Sequence, residues 1–196
     1  APETADADSS RPYPFFLAHP IEDEPEKLLG DIHDWQIEWK WDGIRAQLIR
    51  REGSVYLWSR GEELVTDRYP EIAAAAEQLP DGTVLDGELL VWKHDSVQPF
   101  AQLQRRIGRK TVGKKMLADF PVIFLSYDLL EVNGEDSRSQ PLRARRAALE
   151  SIVKHLNHER LLLSPIVDVD SWETLAVLIN ESRERMVEGF MLKRLD

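Results

Sequence analysis

Lys40-Trp41-Asp42-Gly43-Ile44-Arg45 sets a lysine and an arginine on either side of an Asp-Gly turn. A lysine amine is protonated at neutral pH, so a nucleophilic role needs burial or neighbouring positive charge, and Arg45 can supply some of that charge. The same six residues also fit a strand running into an exposed turn with two solvated cations. Outward from the turn, residues 36–40 and 44–51 read as strands, with a third over 55–60 after the Glu52-Gly53-Ser54 turn. Period-two alternation puts Ile37 and Trp39 on one face of the first strand and Glu38 with Lys40 on the other. That charged pair suits either an exposed face or a pocket floor.

The rest of the chain alternates further strands with helices, which indicates an α+β domain. Pro70 opens a helix to about residue 79. Residues 83–93 read as a hairpin-like or kinked strand in which Asp86-Gly87-Glu88 interrupts apolar positions. Carboxylates there are costly to bury without a partner, and a ribose hydroxyl, a metal ion or an arginine would serve. A helix is expected over 99–107 and a central apolar strand over 122–132, closed by Asn133-Gly134. A long helix over 142–157, a strand over 161–169, a helix over 171–184 capped by Asp170 or Ser171, and a last strand over 188–194 follow. Arg11 to Ile21 carries three prolines that forbid a helix, and Phe15, Phe16 and Leu17 are expected to anchor it on the core.

With 196 residues, 42% of them hydrophobic, and only 10 Gly and 11 Pro, the chain can bury a substantial core in one domain. Residues 1–10 are small, polar and acidic, and read as a disordered tail or interdomain linker, leaving 11–196 as the folded domain. The absence of cysteine excludes disulfides, thiolate metal sites and cysteine catalysis, and fits a reducing, cytoplasmic setting. No apolar run approaches membrane-spanning length, and there is no phosphate loop of the Walker type. The net charge of −10 is concentrated in residues 1–34, where nine acids face only Arg11 and Lys27, so the remainder carries only −3. Two acid-free basic clusters stand out in that remainder: Arg105, Arg106, Arg109, Lys110, Lys114 and Lys115, and then Arg138, Arg143, Arg145 and Arg146. Each suits phosphate contact or a solvated helix face.

Six segments occur in one order: Glu38-x-Lys40-x-Asp42-Gly43-x-Arg45, Ser59-Arg60, Leu85-Asp86-Gly87-Glu88, Phe100-x-x-Leu103-Gln104-x-Arg106, Tyr127-Asp128-Leu129-Leu130 and Glu188-Gly189-Phe190-Met191-Leu192-Lys193. Over residues 12–194 the chain resembles the adenylation domain of bacterial ATP-dependent DNA ligases. The resemblance implies an α+β nucleotidyltransferase (ATP-grasp-like) fold, with antiparallel sheets flanked by helices and the nucleotide pocket between them. It implies that Lys40 attacks the α-phosphorus of ATP and holds AMP as a phosphoramidate, which then passes to the 5′-phosphate of nicked double-stranded DNA. By the same resemblance Glu38 receives the adenine amino group, Tyr127 stacks on the base, and Arg45 and Lys193 face the phosphates. Glu88 faces the ribose and, with Glu188, a Mg2+ or Mn2+ ion. Arg60 and Arg106 resemble contacts to AMP or to the DNA 5′-phosphate, for which a planar guanidinium is suited.

The resemblance further implies an OB-fold domain after Lys193 and a DNA-binding domain before residue 1, a monomer in the bacterial cytosol, and poor nick sealing by these residues alone. An mRNA capping guanylyltransferase or an RNA ligase shares part of the pattern. A catalytically silent module that binds nicks or a partner is the alternative from another class.

Overall fold

A computed structural model describes residues 9–196. Most of the expected tail, residues 1–8, lies outside the described residues. Ser9 and Ser10, assigned to that tail, instead dock on a sheet: the Arg51 guanidinium donates to the Ser9 carbonyl at 3.2 Å, and the Trp58 indole donates to that of Ser10 at 2.5 Å.

The hexapeptide joins two sheets. Lys40 lies near the end of β1 (Trp35–Trp41), which pairs antiparallel with β10 (Val187–Arg194) so that Ile37 faces Leu192. Arg45 lies in β2 (Ile44–Arg51), part of an eight-stranded sheet ordered β4-β3-β2-β5-β7-β8. Here β3 is Ser54–Ser59, β4 Glu63–Leu64, β5 Thr83–Lys93, β7 Val122–Val132 and β8 Glu135–Asp136. The short β6 (Ser96–Val97) pairs with β5, and β9 (Leu161–Leu163) runs parallel to β7. The turn between the two sheets is pressed onto β5. A Cβ on Gly43 would come within 2.3 Å of the Leu89 carbonyl oxygen and 2.6 Å of a Leu90 methyl, so only glycine allows that approach.

Alternation decides which side chains face the space between the sheets. On β5, Leu85, Leu89 and Val91 enter the main core, which the helices Pro70–Ala76 and Leu142–Leu156 cover, while Asp86 and Glu88 take the opposite face. Of the two forms expected for this segment, the hairpin is absent and the irregular strand is present. Residues 83–93 form one strand, and the irregularity is taken up as register shifts against β7 at Val84/Leu85 and Asp86/Gly87. Gly87 lets β7 close in, since a Cβ there would stand 2.4 Å from the Leu125 carbonyl oxygen. The central position expected for residues 122–132 is borne out, with β7 flanked by β5, β8 and β9.

The long helix buries Leu142, Arg146, Leu149 and Val153 at helical spacing and ends on Asn157 in a left-handed conformation. The strand expected over 161–169 stops at Leu163, because Pro165 has no N–H to give a ladder. Ile166 then bridges to Glu38, and Val167 donates its N–H to the Ile37 carbonyl at 2.8 Å, which ties this segment to the small sheet. Short helices not expected from sequence lie at Pro25–Leu29 and Lys114–Asp119, and the other three expected helices are shorter than expected, at Pro70–Ala76, Phe100–Gln104 and Trp172–Leu178. The cap of the last is Ser171, whose hydroxyl accepts from the Thr174 N–H at 3.1 Å. Trp172 and Leu175 pack with Ile32 and Ile37 against the small sheet. The result is an α+β architecture with two sheet walls, each backed by helix.

Candidate active site

Between the walls lies a cavity of about 690 Å³. Glu38, Lys40, Arg45, Arg60, Glu88, Tyr127, Glu188 and Lys193, drawn from segments up to 155 residues apart, all line it. Arg106 does not. Its side chain is wholly buried, paired with both Glu71 oxygens at 2.8 and 2.9 Å and donating to the Phe120 and Arg68 carbonyls at 2.9 Å. The expectation of a phosphate contact there is corrected: those donors are already engaged in holding the Phe100–Gln104 segment to the helix Pro70–Ala76. The second basic cluster is likewise engaged in part, because Arg145 forks onto Asp128 and Arg146 bonds Glu150 and the Ser164 carbonyl.

Lys40 stands at the open end, its side chain half exposed and its amine 3.1 Å from a Glu188 oxygen. A bulge creates that contact. Trp39 pairs with Phe190 but Trp41 with Val187, so the single residue Lys40 opposes both Glu188 and Gly189. Gly189 has φ 139°, a conformation costly for any residue with a side chain. Alanine at Gly189 is therefore expected to cost about 1–3 kcal/mol and to turn Glu188 away from Lys40. Thermal unfolding together with the rate of nucleotide transfer checks this, and no change in either would contradict it.

At the closed end, one Glu38 oxygen accepts from Lys193 at 2.6 Å and from Gln36 at 3.1 Å. The other, also buried, has no hydrogen-bond partner. Buried carboxylate oxygens without a donor are costly, so this one marks a place where a ligand N–H fits. Tyr127 lies beside it, its ring 4.0 Å from the Lys193 amine and its hydroxyl donating to Glu88 at 3.3 Å. Burial and the Asp86 and Glu88 charges hold that hydroxyl far above its usual range, so it remains a donor.

Two parts of the site were left open or unplaced by the sequence. Asp86, buried, forks onto Arg45 at 2.8 and 3.3 Å and aims it into the cavity, which resolves the open question of what partners that carboxylate. The segment Pro14 to Ala18 forms a wall, held by a hydrogen bond from Arg45 to the Phe16 carbonyl and by paired amide bonds between Gln47 and Tyr13 at 2.8 Å. The anchoring expected of Phe15, Phe16 and Leu17 is corrected: Phe16 and Leu17 are 73% and 58% exposed, and Tyr13 is the aromatic that packs on the sheet, because Gln47 holds its main chain there.

Glu88 is pushed up to about 8, first by burial and then by the Asp86 charge, with Glu188 adding to it and Tyr127 and Arg45 opposing. From its ordinary 4.5 to about 8, the folded chain keeps a proton that the unfolded chain releases, so stability falls as pH rises through that window. Glu88→Gln is expected to lose less melting temperature than the parent between pH 6 and pH 9, and parallel curves would contradict this. Glu88 and Glu188 are two like-charged oxygen donors that repel each other, a set that fits a hard divalent cation. Among the described residues no group of three His, Asp or Glu is arranged to hold an ion alone, so phosphate oxygens and water would complete its shell.

A family model described as "ATP dependent DNA ligase domain" matches residues 15–196. A probable DNA ligase of Koribacter versatilis is 32% identical across 93% of this chain, which spans 35% of that relative. Among solved structures, the ligase domain from M. tuberculosis LigD is 31% identical with a TM-score of 0.67, covering 85% of this chain and 50% of that one. A mycobacterial DNA ligase D complexed with ATP and MES is 32% identical with a TM-score of 0.66 and the same coverages. The nucleotidyltransferase fold is shared with these ligases, and this chain spans about a third of its curated relative and half of the solved ligase domains. With most of its length matched and two sheets enclosing one nucleotide-sized cavity, the chain belongs to the ATP-dependent DNA ligase domain family.

Proposed function

We propose that this domain takes AMP from ATP onto Lys40 and delivers it to the 5′-phosphate of nicked duplex DNA. One observation carries the reading: the Lys40 amine opens onto a cavity whose far end holds a buried carboxylate with an unpartnered oxygen beside an aromatic face. Glu38 accepts the adenine amino group there, and the Tyr127 ring stacks on the base. The Lys40 amine, having lost its proton, attacks the α-phosphorus. A P–N bond forms as the P–O bond to pyrophosphate breaks, which divides one difficult transfer into easier steps. Arg45, steered by Asp86, and Lys193 stabilise charge on the phosphate oxygens. Glu88 and Glu188 are the residues that would hold Mg2+, whose chemistry when bound is to neutralise phosphate charge.

Arg60 stands on the cavity rim without a carboxylate partner among the described residues, placed to meet the DNA 5′-phosphate. Arg109, Lys110, Lys114 and Lys115 are exposed and equally unpaired among the described residues, and give salt-dependent backbone contact. In the whole protein an OB-fold domain and an N-terminal DNA-binding domain complete the grip on DNA, so these 196 residues alone accept AMP but seal nicks poorly. A monomer acting in the bacterial cytosol completes this reading. Incubation with ATP or GTP labelled at the α-phosphate tests the nucleotide assignment. Label from ATP is expected, and label from GTP alone would overturn it in favour of a capping guanylyltransferase.

A further inference from the structure

One side chain already stands at the place assigned to adenine, lying over the Tyr127 ring and holding one Glu38 oxygen while the other stays open. Lys193 lies opposite Gln36 in the β1–β10 ladder and reaches inward, so its amine donates to Glu38 at 2.6 Å while lying 4.0 Å from the Tyr127 ring centroid. Its side chain is 23% exposed, and that of Glu38 only 2%. A base stacked on Tyr127 needs the space that this ammonium fills, while its amino group takes the open Glu38 oxygen. The arrangement also has a reason to exist without ligand. A buried Glu38 with no cation beside it would be an uncompensated charge.

We propose that Lys193 is the internal occupant of the base subsite, and that nucleotide binding is an exchange in which the base displaces it. This rests on the assignment of Glu38 and Tyr127 to the base. The exchange makes Lys193 a specificity residue as well as a phosphate ligand. When the ammonium leaves, Glu38 must find another donor, and a 6-amino purine supplies one. A 6-oxo purine turns a carbonyl toward the carboxylate, which then keeps only the Gln36 amide as a donor. The freed ammonium swings on its flexible stem toward the phosphates, so occupation of the base subsite delivers a cation to the reacting end. Base recognition and phosphate charge are thereby coupled through one side chain.

Adenosine and inosine, which carry no phosphate, isolate the exchange. Lys193→Met keeps the length of the stem and removes the charge. It is expected to bind adenosine at least about tenfold more tightly than the parent, because the competitor is gone, while transferring AMP from ATP more slowly. Inosine is expected to gain less than adenosine. Equal or weaker adenosine binding by the variant, or no adenosine binding by either protein, overturns the proposal.

A measurement on the unaltered chain guards against a misfolded variant. Labelling of the Lys193 amine by an acylating reagent, read by peptide mass spectrometry, is expected to rise when adenosine is added. Unchanged or reduced labelling overturns the exchange. Failure of the underlying assignment looks different, since Tyr127→Leu would then bind adenosine as tightly as the parent.

Discussion

Lys40→Ala is expected to abolish transfer of AMP to the chain, a loss of at least about 10³-fold in adduct formation, because the attacking amine is gone. Lys40→Arg should fail as completely, since a guanidinium stays protonated and cannot attack phosphorus. Neither change should disturb the fold much. The Lys40 side chain is half exposed and its one ion pair, with Glu188, is equally exposed, so a stability change within about 0.5 kcal/mol is anticipated. The combination of a lost adduct and an unchanged melting temperature separates a chemical role from a structural one. Measurable adduct in the alanine variant would remove Lys40 from its assigned role.

Arg106→Ala should show the reverse pattern. Its guanidinium, wholly buried, holds both Glu71 oxygens and two main-chain carbonyls and lies 5.1 Å from the Tyr69 ring centroid. Removing it leaves a carboxylate and two carbonyls unpaired in the core, at a cost of about 3–5 kcal/mol. For a domain of this size that corresponds to a fall in melting temperature of roughly 6–20 °C. Chemical denaturation should report the same loss. An unchanged melting temperature with weakened binding to nicked DNA would restore the phosphate role inferred from sequence.

The contrast between these two residues shows where the sequence was legible. Lys40 could be read because its neighbours are local: Glu38 shares its strand face, and Arg45 follows the same turn. Along residues 83–93 the interruption of apolar positions by Asp86 and Glu88 was visible, but their placing on the face opposite Leu85 and Leu89 was not. Arg106 could not be read, because its partner Glu71 lies 35 residues away and a short motif displays an arginine without showing whether its donors are free. The same limit applies to Lys193 and Glu38, which meet only because β10 returns beside β1. The bulge at Glu188 and Gly189 is also a property of that pairing, and Gly189 alone did not announce it. Pro165 did carry a local signal, and weighting its missing N–H would have shortened the strand expected over 161–169. Ser9 and Ser10 were misplaced for the opposite reason, since small polar residues give no apolar pattern even when their carbonyls are held.

The central claim is that Lys40 is the point at which the nucleotide becomes covalently attached. Incubation of the chain with ATP and Mg2+, followed by peptide mass spectrometry, tests it most directly. The account predicts a single AMP-bearing peptide with the modification on Lys40, lost in Lys40→Ala. AMP on any other residue, or an adduct that survives that substitution, would contradict it.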